Sequence, residues 1–156
     1  MNDFTIRPAT GADGEAARAV VFPVLEAYEL KPEPEGTDAD LFDLEGAYAR
    51  SGGAFFVVED EAGRVVGTCG LKPLGDGAVE LRKMYLAAGV RGRGLGRRLL
   101  EHAIAEAKAR GFERMELETA SPLVEAIALY RSRGFQPRCG AVETKRCDQA
   151  YFLDLH

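Results

Sequence analysis

The sequence is poor in the residues that mark several functional classes. Its two histidines offer little for catalysis: His102 falls on the polar side of a helical pattern and His156 is the last residue. Its three cysteines, Cys69, Cys139 and Cys147, are an odd set at no recognised metal spacing, which reads as reduced thiols in a cytoplasmic protein. Cys139 and Cys147 could meet, but two ligands do not make a zinc site, and no metal is expected. Cations are in deficit, 20 Lys and Arg against 25 Asp and Glu for a net charge of -5, which excludes general nucleic-acid binding, since that needs a basic face. The first residues lack the basic and apolar regions of a secretion signal, and no apolar run approaches the length of a membrane span, so no membrane partner is expected. There is no internal repeat and no low-complexity segment. A chain of 156 residues is long enough to bury one self-sufficient core, and residues 1–156 read as a single domain.

Against this acidic background one basic stretch stands out: Arg91-Gly92-Arg93-Gly94-Leu95-Gly96-Arg97-Arg98. Alternating glycines let a backbone turn tightly and approach a ligand, because no Cβ intervenes. Interleaved arginines supply charge and forked donors that match phosphate. The stretch lies between a strand-like run, 79–86, and a strongly amphipathic helical run, 95–110, whose first amides and dipole point back at the loop. The combination predicts a phosphate cradle.

The remaining elements follow from periodicity. Residues 4–7 alternate as a strand that Pro8 ends. Thr10 and Asp13 have capping-box spacing before a helical stripe of Ala16, Ala17, Val20 and Val21, which Pro23 should end or kink near Phe22. Thr37 and Asp40 form a second capping pair ahead of a helix carrying Leu41, Leu44 and Tyr48, stopped by Gly52-Gly53. Strands are predicted over 54–59, 64–71, 79–86 and 113–119, a helix over 123–133 closed by Gly134, and final strands over 135–139 and 150–155. The order β-α-α-β-β-β-α-β-α-β-β predicts an α/β fold of the α+β type. It should hold a mixed, mostly antiparallel sheet of about seven strands with helices on both faces.

Two familiar phosphate motifs fail on spacing. Gly92, Gly94 and Gly96 do not make the Gly-x-Gly-x-x-Gly of a dinucleotide fold, and Leu95 stands where a nucleotide P-loop needs lysine. Arg91-x-x-Gly94-x-Gly96, with a hairpin before it and a long amphipathic helix after it, resembles the signature of the GNAT superfamily of acetyl-CoA-dependent N-acetyltransferases. Residues 126–135, Ala-Ile-Ala-Leu-Tyr-Arg-Ser-Arg-Gly-Phe, resemble that family's second signature, a helix bearing a tyrosine before a Gly-Phe turn. The element order agrees over nearly the whole chain.

The resemblance implies acetyl-CoA as co-substrate. Its pyrophosphate would rest on Arg91, Gly92, Arg93, Gly94, Leu95, Gly96 and Arg97, while Arg98, about 100° further round the helix, points elsewhere. The backbone of Met84, Tyr85 and Leu86 would pair with the pantetheine arm, one amide polarising the thioester carbonyl as an oxyanion donor. Tyr130 would be the general acid for the leaving thiolate. Glu80 is the candidate base, placed by strict alternation on the face of Met84 and Leu86; Glu118 and water are the rivals. Many relatives carry an asparagine at the position of Leu123, so side-chain help with pantetheine is missing there. Family members are commonly dimers, so a homodimer is among the expected partners.

The acceptor implied is a primary amine of a small molecule or peptide. The segment framing it in the family holds Glu26, Glu29, Glu33, Glu35, Asp38, Asp40, Asp43 and Glu45. These acids suit either attraction of a polyamine-like cation or a solvated outer face. Arg82, on the face of Glu80, could instead hold a substrate carboxylate. A module of the same fold that binds acyl-CoA without turnover is the alternative function.

Overall fold

The computed structural model describes residues 3–140 and 142–155; Met1, Asn2, Ala141 and His156 lie outside the described residues. Seven strands form one sheet: β1 (Thr5–Pro8), β2 (Ala54–Glu59), β3 (Val65–Gly75), β4 (Ala78–Leu86), β5 (Arg114–Thr119), β6 (Gln136–Pro137) and β7 (Gln149–Asp154). Their spatial order is β1-β2-β3-β4-β5-β7-β6, with β4–β5 the one parallel pairing in it. The sheet is thus mixed and mostly antiparallel, as the sequence order predicts. Pro8 and Pro137 sit in the outermost strands, and Pro73 lies where β3 has outrun β2, so no proline interrupts a central ladder.

Helices α1 (Gly14–Ala27), α2 (Leu44–Ala47), α3 (Leu95–Ala109) and α4 (Val124–Ser132) complete the fold. β2 shows why both faces need cover. Phe56 and Val58 pack with Leu99, Leu100, Ala103 and Ile104 of α3, while Phe55 and Val57 pack with Ala17, Val21 and Leu25 of α1. Strict alternation in a strand buried on both sides sends apolar groups to two separate cores.

Two helix predictions change. Pro23 does not end α1, which continues to Ala27, where the Tyr28 amide bonds the carbonyls of Val24 and Leu25. The single helix expected after Thr37 is instead a 3₁₀ turn over 39–42, the short α2, and a second 3₁₀ turn over 49–51. Asp43, not Thr37, caps α2, its carboxylate accepting from the Gly46 amide. Asp40 leaves its expected capping role and is buried against Lys83 and Tyr48. The apolar stripe holds all the same, for Leu41, Leu44 and Tyr48 bury against β2. At the other end the Thr10–Asp13 pairing forms, Thr10 N donating to Asp13 Oδ2 at 2.7 Å, and Arg7 reinforces it with a forked bond to the same carboxylate. That guanidinium holds the Asp13 carboxyl at about 2.

Candidate active site

The site grows from a parting of two strands. β4 and β5 pair only at Ala78↔Arg114, Val79↔Met115 and Glu80↔Glu116. Beyond Glu80, β4 pairs only with β3, and β5 only with β7. Each strand is left with one open edge of backbone donors and acceptors, and a wedge opens between them. An extended amide-containing ligand could fill such an edge as an added strand.

A β-bulge in β4 decides which side chains face which way. Between Thr68↔Tyr85 and Gly70↔Arg82, Cys69 of β3 faces both Lys83 and Met84 of β4. Lys83 takes a left-handed φ of 52°, and Thr68 Oγ1 donates to its carbonyl at 2.6 Å. The extra residue reverses the alternation. Val79 and Leu81 pack toward α3 before the bulge, and Met84 and Leu86 pack there after it, while Tyr85 joins the α1 side. Glu80 therefore does not share a face with Met84 and Leu86, as strict alternation predicts. It shares one with Arg82, whose Nε stands 3.6 Å from Glu80 Oε1. Arg82 and Lys83, consecutive in sequence, reach the same acceptor, the carbonyl of Thr37.

Over the open end of β4 lies a cleft of about 200 Å³ with Met84, Tyr85 and Leu86 at its base. Val24 of α1 and Tyr28 just past its end wall one side, Leu123 at the cap of α4 with Ala126 and Leu129 within it the other, and Arg91, Gly92 and Gly96 close the end. Gly92 and Gly94 adopt φ of 78° and 74°, the left-handed region glycine enters without strain. The first helical bond of α3 runs from Arg98 N to Gly94 O, so the amides of Leu95, Gly96 and Arg97 have no acceptor within the helix and suit an anion. The arginines divide their work. Arg91 bonds the Leu86 carbonyl and lies over the Tyr28 ring at the cleft's rim. Arg97 bonds Ser132 Oγ, and Arg98 turns away to the Phe4 carbonyl, as its helical phase predicts. Arg93 lines a separate groove with Asp3 and Asp60, and the Leu95 side chain is in the core. Leu95 therefore offers the loop only its backbone.

A second, smaller cavity of about 90 Å³ adjoins the cleft through Met84, Tyr85, Leu123 and Ala126. Glu80, Arg82 and Tyr130 line it. Burial lifts the Glu80 carboxyl above its ordinary range; Arg82 opposes this and Glu118 adds to it. Tyr130 is 6% exposed, and burial drives its phenol well above the ordinary value, with Tyr85 and Cys69 adding to the rise. Glu118 is differently placed. Burial would raise it, but the amides of Glu143 and Thr144, each at 2.9 Å, hold it below the usual carboxylate value, with Arg138 beside it. A carboxylate so committed is a poor base.

Behind this cavity lie ion pairs that the sequence does not signal. Asp38, fully buried, takes a forked bond from Arg146 at 2.7 Å on each oxygen and pairs with Lys83 at 3.3 Å. Asp40 accepts from the Tyr48 hydroxyl and pairs with Lys83 at 3.2 Å. Asp38 and Arg146 lie far apart in the chain, and no local pattern links them. Cys147 lines the same cavity, burial raising its thiol to about 11. Cys69, Cys139 and Cys147 are all free thiols. His102 is not on a purely solvated face: its ring meets Phe56 edge-on at 4.7 Å. Among the described residues there is no cluster of three metal-ligating side chains and no helix long and apolar enough to cross a membrane.

The acetyltransferase (GNAT) family profile matches residues 21–135, from the middle of α1 through the Gly134-Phe135 turn. The chain belongs to the GNAT family. It is an acyltransferase. An uncharacterized N-acetyltransferase of Escherichia coli, YjgM, is 40% identical over 136 residues, 84% of this chain and 81% of that protein. A probable N-acetyltransferase of Xenopus laevis, camello, is 35% identical over 66% of this chain, which spans only 48% of it. Among solved structures, a GNAT-family acetyltransferase of Staphylococcus aureus superposes with a TM-score of 0.92 at 22% identity, over 99% of this chain and 100% of the other. A phosphinothricin acetyltransferase of Sinorhizobium meliloti in complex with AcCoA superposes with a TM-score of 0.72 at 22% identity, over 97% and 88%. These two structures share the GNAT fold with it.

Proposed function

We propose that residues 1–156 form one N-acetyltransferase domain that moves the acetyl group of acetyl-CoA to a primary amine of a small molecule or peptide by direct attack. The parting of β4 from β5 carries this reading: it opens a strand edge that starts beside the glycine-loop amides and ends at a cavity holding both a carboxyl and a phenol. The backbone of Met84, Tyr85 and Leu86 pairs with the amide-bearing pantetheine arm. The loop amides, with Arg91 and Arg97 at its ends, receive the pyrophosphate. When bound, acetyl-CoA supplies an activated thioester.

Glu80 and Tyr130 then divide the proton work. A lysine-like ammonium near pKa 10.4 is neutral in only about one part in 10³ at pH 7, so attack needs a base. Glu80, lifted by burial toward neutrality, takes that proton more readily than an ordinary carboxylate. As the nitrogen bonds to the acetyl carbon and the C–S bond breaks, the Tyr130 hydroxyl gives its hydrogen bond, and finally its proton, to the departing sulfur. Its raised value keeps it a donor across the whole working range. Free-thiol release from acetyl-CoA in the presence of a mixed amine panel tests the reading. Saturable acetyl-CoA binding with no thiol release over any amine would overturn it.

A further inference from the structure

We infer that the acceptor is a small α-amino acid, its ammonium facing Glu80 and its carboxylate facing Arg82. This rests on the acetyl-transfer reading above and names the substrate class of that same cavity.

The acidic segment 26–45 suggests a cationic acceptor only until its charges are followed inward. Asp38 is consumed by the fork of Arg146 and by Lys83, and Asp40 by Lys83 and the Tyr48 hydroxyl. Glu118 is held by two backbone amides and Arg138. The charged side chains lining the cavity are Glu80 and Glu118 against Arg82, Lys83 and Arg146. On a chain of net charge -5, the lining holds three cations and two anions, and two of those cations, Lys83 and Arg146, are neutralised from behind by Asp38 and Asp40. A polyamine would meet Glu80 with the Arg82 guanidinium beside it, and no second carboxylate free of a partner.

Glu80 and Arg82 are the pair left for a ligand. Lys83 and Arg146 are nearly sealed, their side chains 3% and 8% exposed, whereas Arg82 and Glu80 keep 19% and 22%. Arg82 is fixed by a bond from Nη2 to the Thr37 carbonyl at 3.1 Å and by Asp40 at 3.9 Å. That anchoring costs it one arm and leaves donors of its fork for a planar carboxylate. Its Nε lies 3.6 Å from Glu80 Oε1, so a receptor for a cation and a receptor for an anion stand side by side. An α-amino acid matches this, holding its nitrogen and carboxylate carbon about 2.5 Å apart through one tetrahedral carbon. The four charges then alternate in sign. The bulge at Lys83 builds the arrangement, since it turns Lys83 onto the face of Arg82 to neutralise Asp38 and Asp40.

The test compares kcat/KM, read by thiol release, for small amino acids, their methyl esters and short diamines. Esterification lowers amine basicity and enlarges the neutral fraction, so intrinsic reactivity favours the ester and a preference for the acid must come from binding. The acid should win by about tenfold or more, the worth of a charge-assisted fork. Arg82→Gln should bring the acid-to-ester ratio to within about threefold, with Arg82→Lys between, as charge without a fork predicts. Esters or diamines matching the acids in the wild type, or a wild-type ratio persisting in Arg82→Gln, would overturn the inference and leave acetyl transfer standing. Thiol release with no amine at all would overturn both.

Discussion

At the scale of single residues, the proposed chemistry depends on two groups shifted in the same direction for opposite uses. Burial raises Tyr130 and keeps it protonated; burial raises Glu80 and makes it a stronger base. Tyr130→Phe removes the donor without disturbing the cleft floor, so turnover should fall about 10²-fold or more while acetyl-CoA affinity, measured by calorimetry, stays within about twofold. Unchanged turnover would remove Tyr130 as the acid. Glu80 must be ionised to act, so activity should be lost as pH falls through its raised value, above the ordinary carboxylate value of about 4.3. Glu80→Gln should lower kcat by about 10²-fold near neutrality, and the deficit should close toward pH ~10, where the amine sheds its proton unaided. A deficit independent of pH would contradict the base role. Tyr130 was legible from its place in a helix before Gly134-Phe135. The commitment of Glu118 was not, because the amides that bind it come from a loop with no periodic signal.

At the scale of elements, the bulge in β4 is the decisive feature. Alternation along 79–86 places every other residue on one face, and one extra residue at Lys83 reverses that for the half of the strand that floors the larger cleft. Nothing local marks the bulge, since its left-handed residue is a lysine rather than a glycine. It is held by contacts distant in sequence: Thr68 on its carbonyl, and Asp38 and Asp40 on its ammonium. Lys83→Met should therefore leave two buried carboxylates short of a partner and cost about 3–5 kcal/mol in urea unfolding. Adding Asp40→Asn should recover part of that loss. A loss below about 1 kcal/mol would show that Arg82 and Arg146 suffice to neutralise both acids. The same ion pairs explain why the helix predicted after Thr37 breaks up. Turning Asp38 and Asp40 inward toward β4 takes them off a continuous helical path, and the chain restarts at Asp43.

At the scale of the whole molecule, the cleft proposed for acetyl-CoA is assembled from α1, β4, the glycine loop and α4, which meet only when the chain is folded. Ligand binding to such a composite site draws on folding itself, and acetyl-CoA at 100 times its Kd should stabilise the protein by about 2.7 kcal/mol. For a chain of this size that is a rise in Tm of roughly 5–10 °C. Arg91→Ala, by removing the guanidinium that bridges Leu86 and Tyr28 at the rim, should weaken acetyl-CoA affinity about tenfold and shrink the Tm rise at the same ligand concentration. An undiminished rise would argue that the loop amides hold the pyrophosphate alone.

The sequence by itself determined the order of elements, the mixed sheet, the amphipathic α3 and the glycine loop, because these rest on periods of two and 3.6 residues and on glycine's backbone freedom, all local properties. It also carried the two motifs by which the GNAT family is recognised. Only the tertiary structure decided where β4 leaves β5, which face Glu80 occupies, and which acids remain available as charge. Those depend on strand pairing and on ion pairs such as Asp38–Arg146, between residues 108 positions apart. Burial and partnership set a carboxylate's chemistry, and neither can be read from its neighbours in the chain.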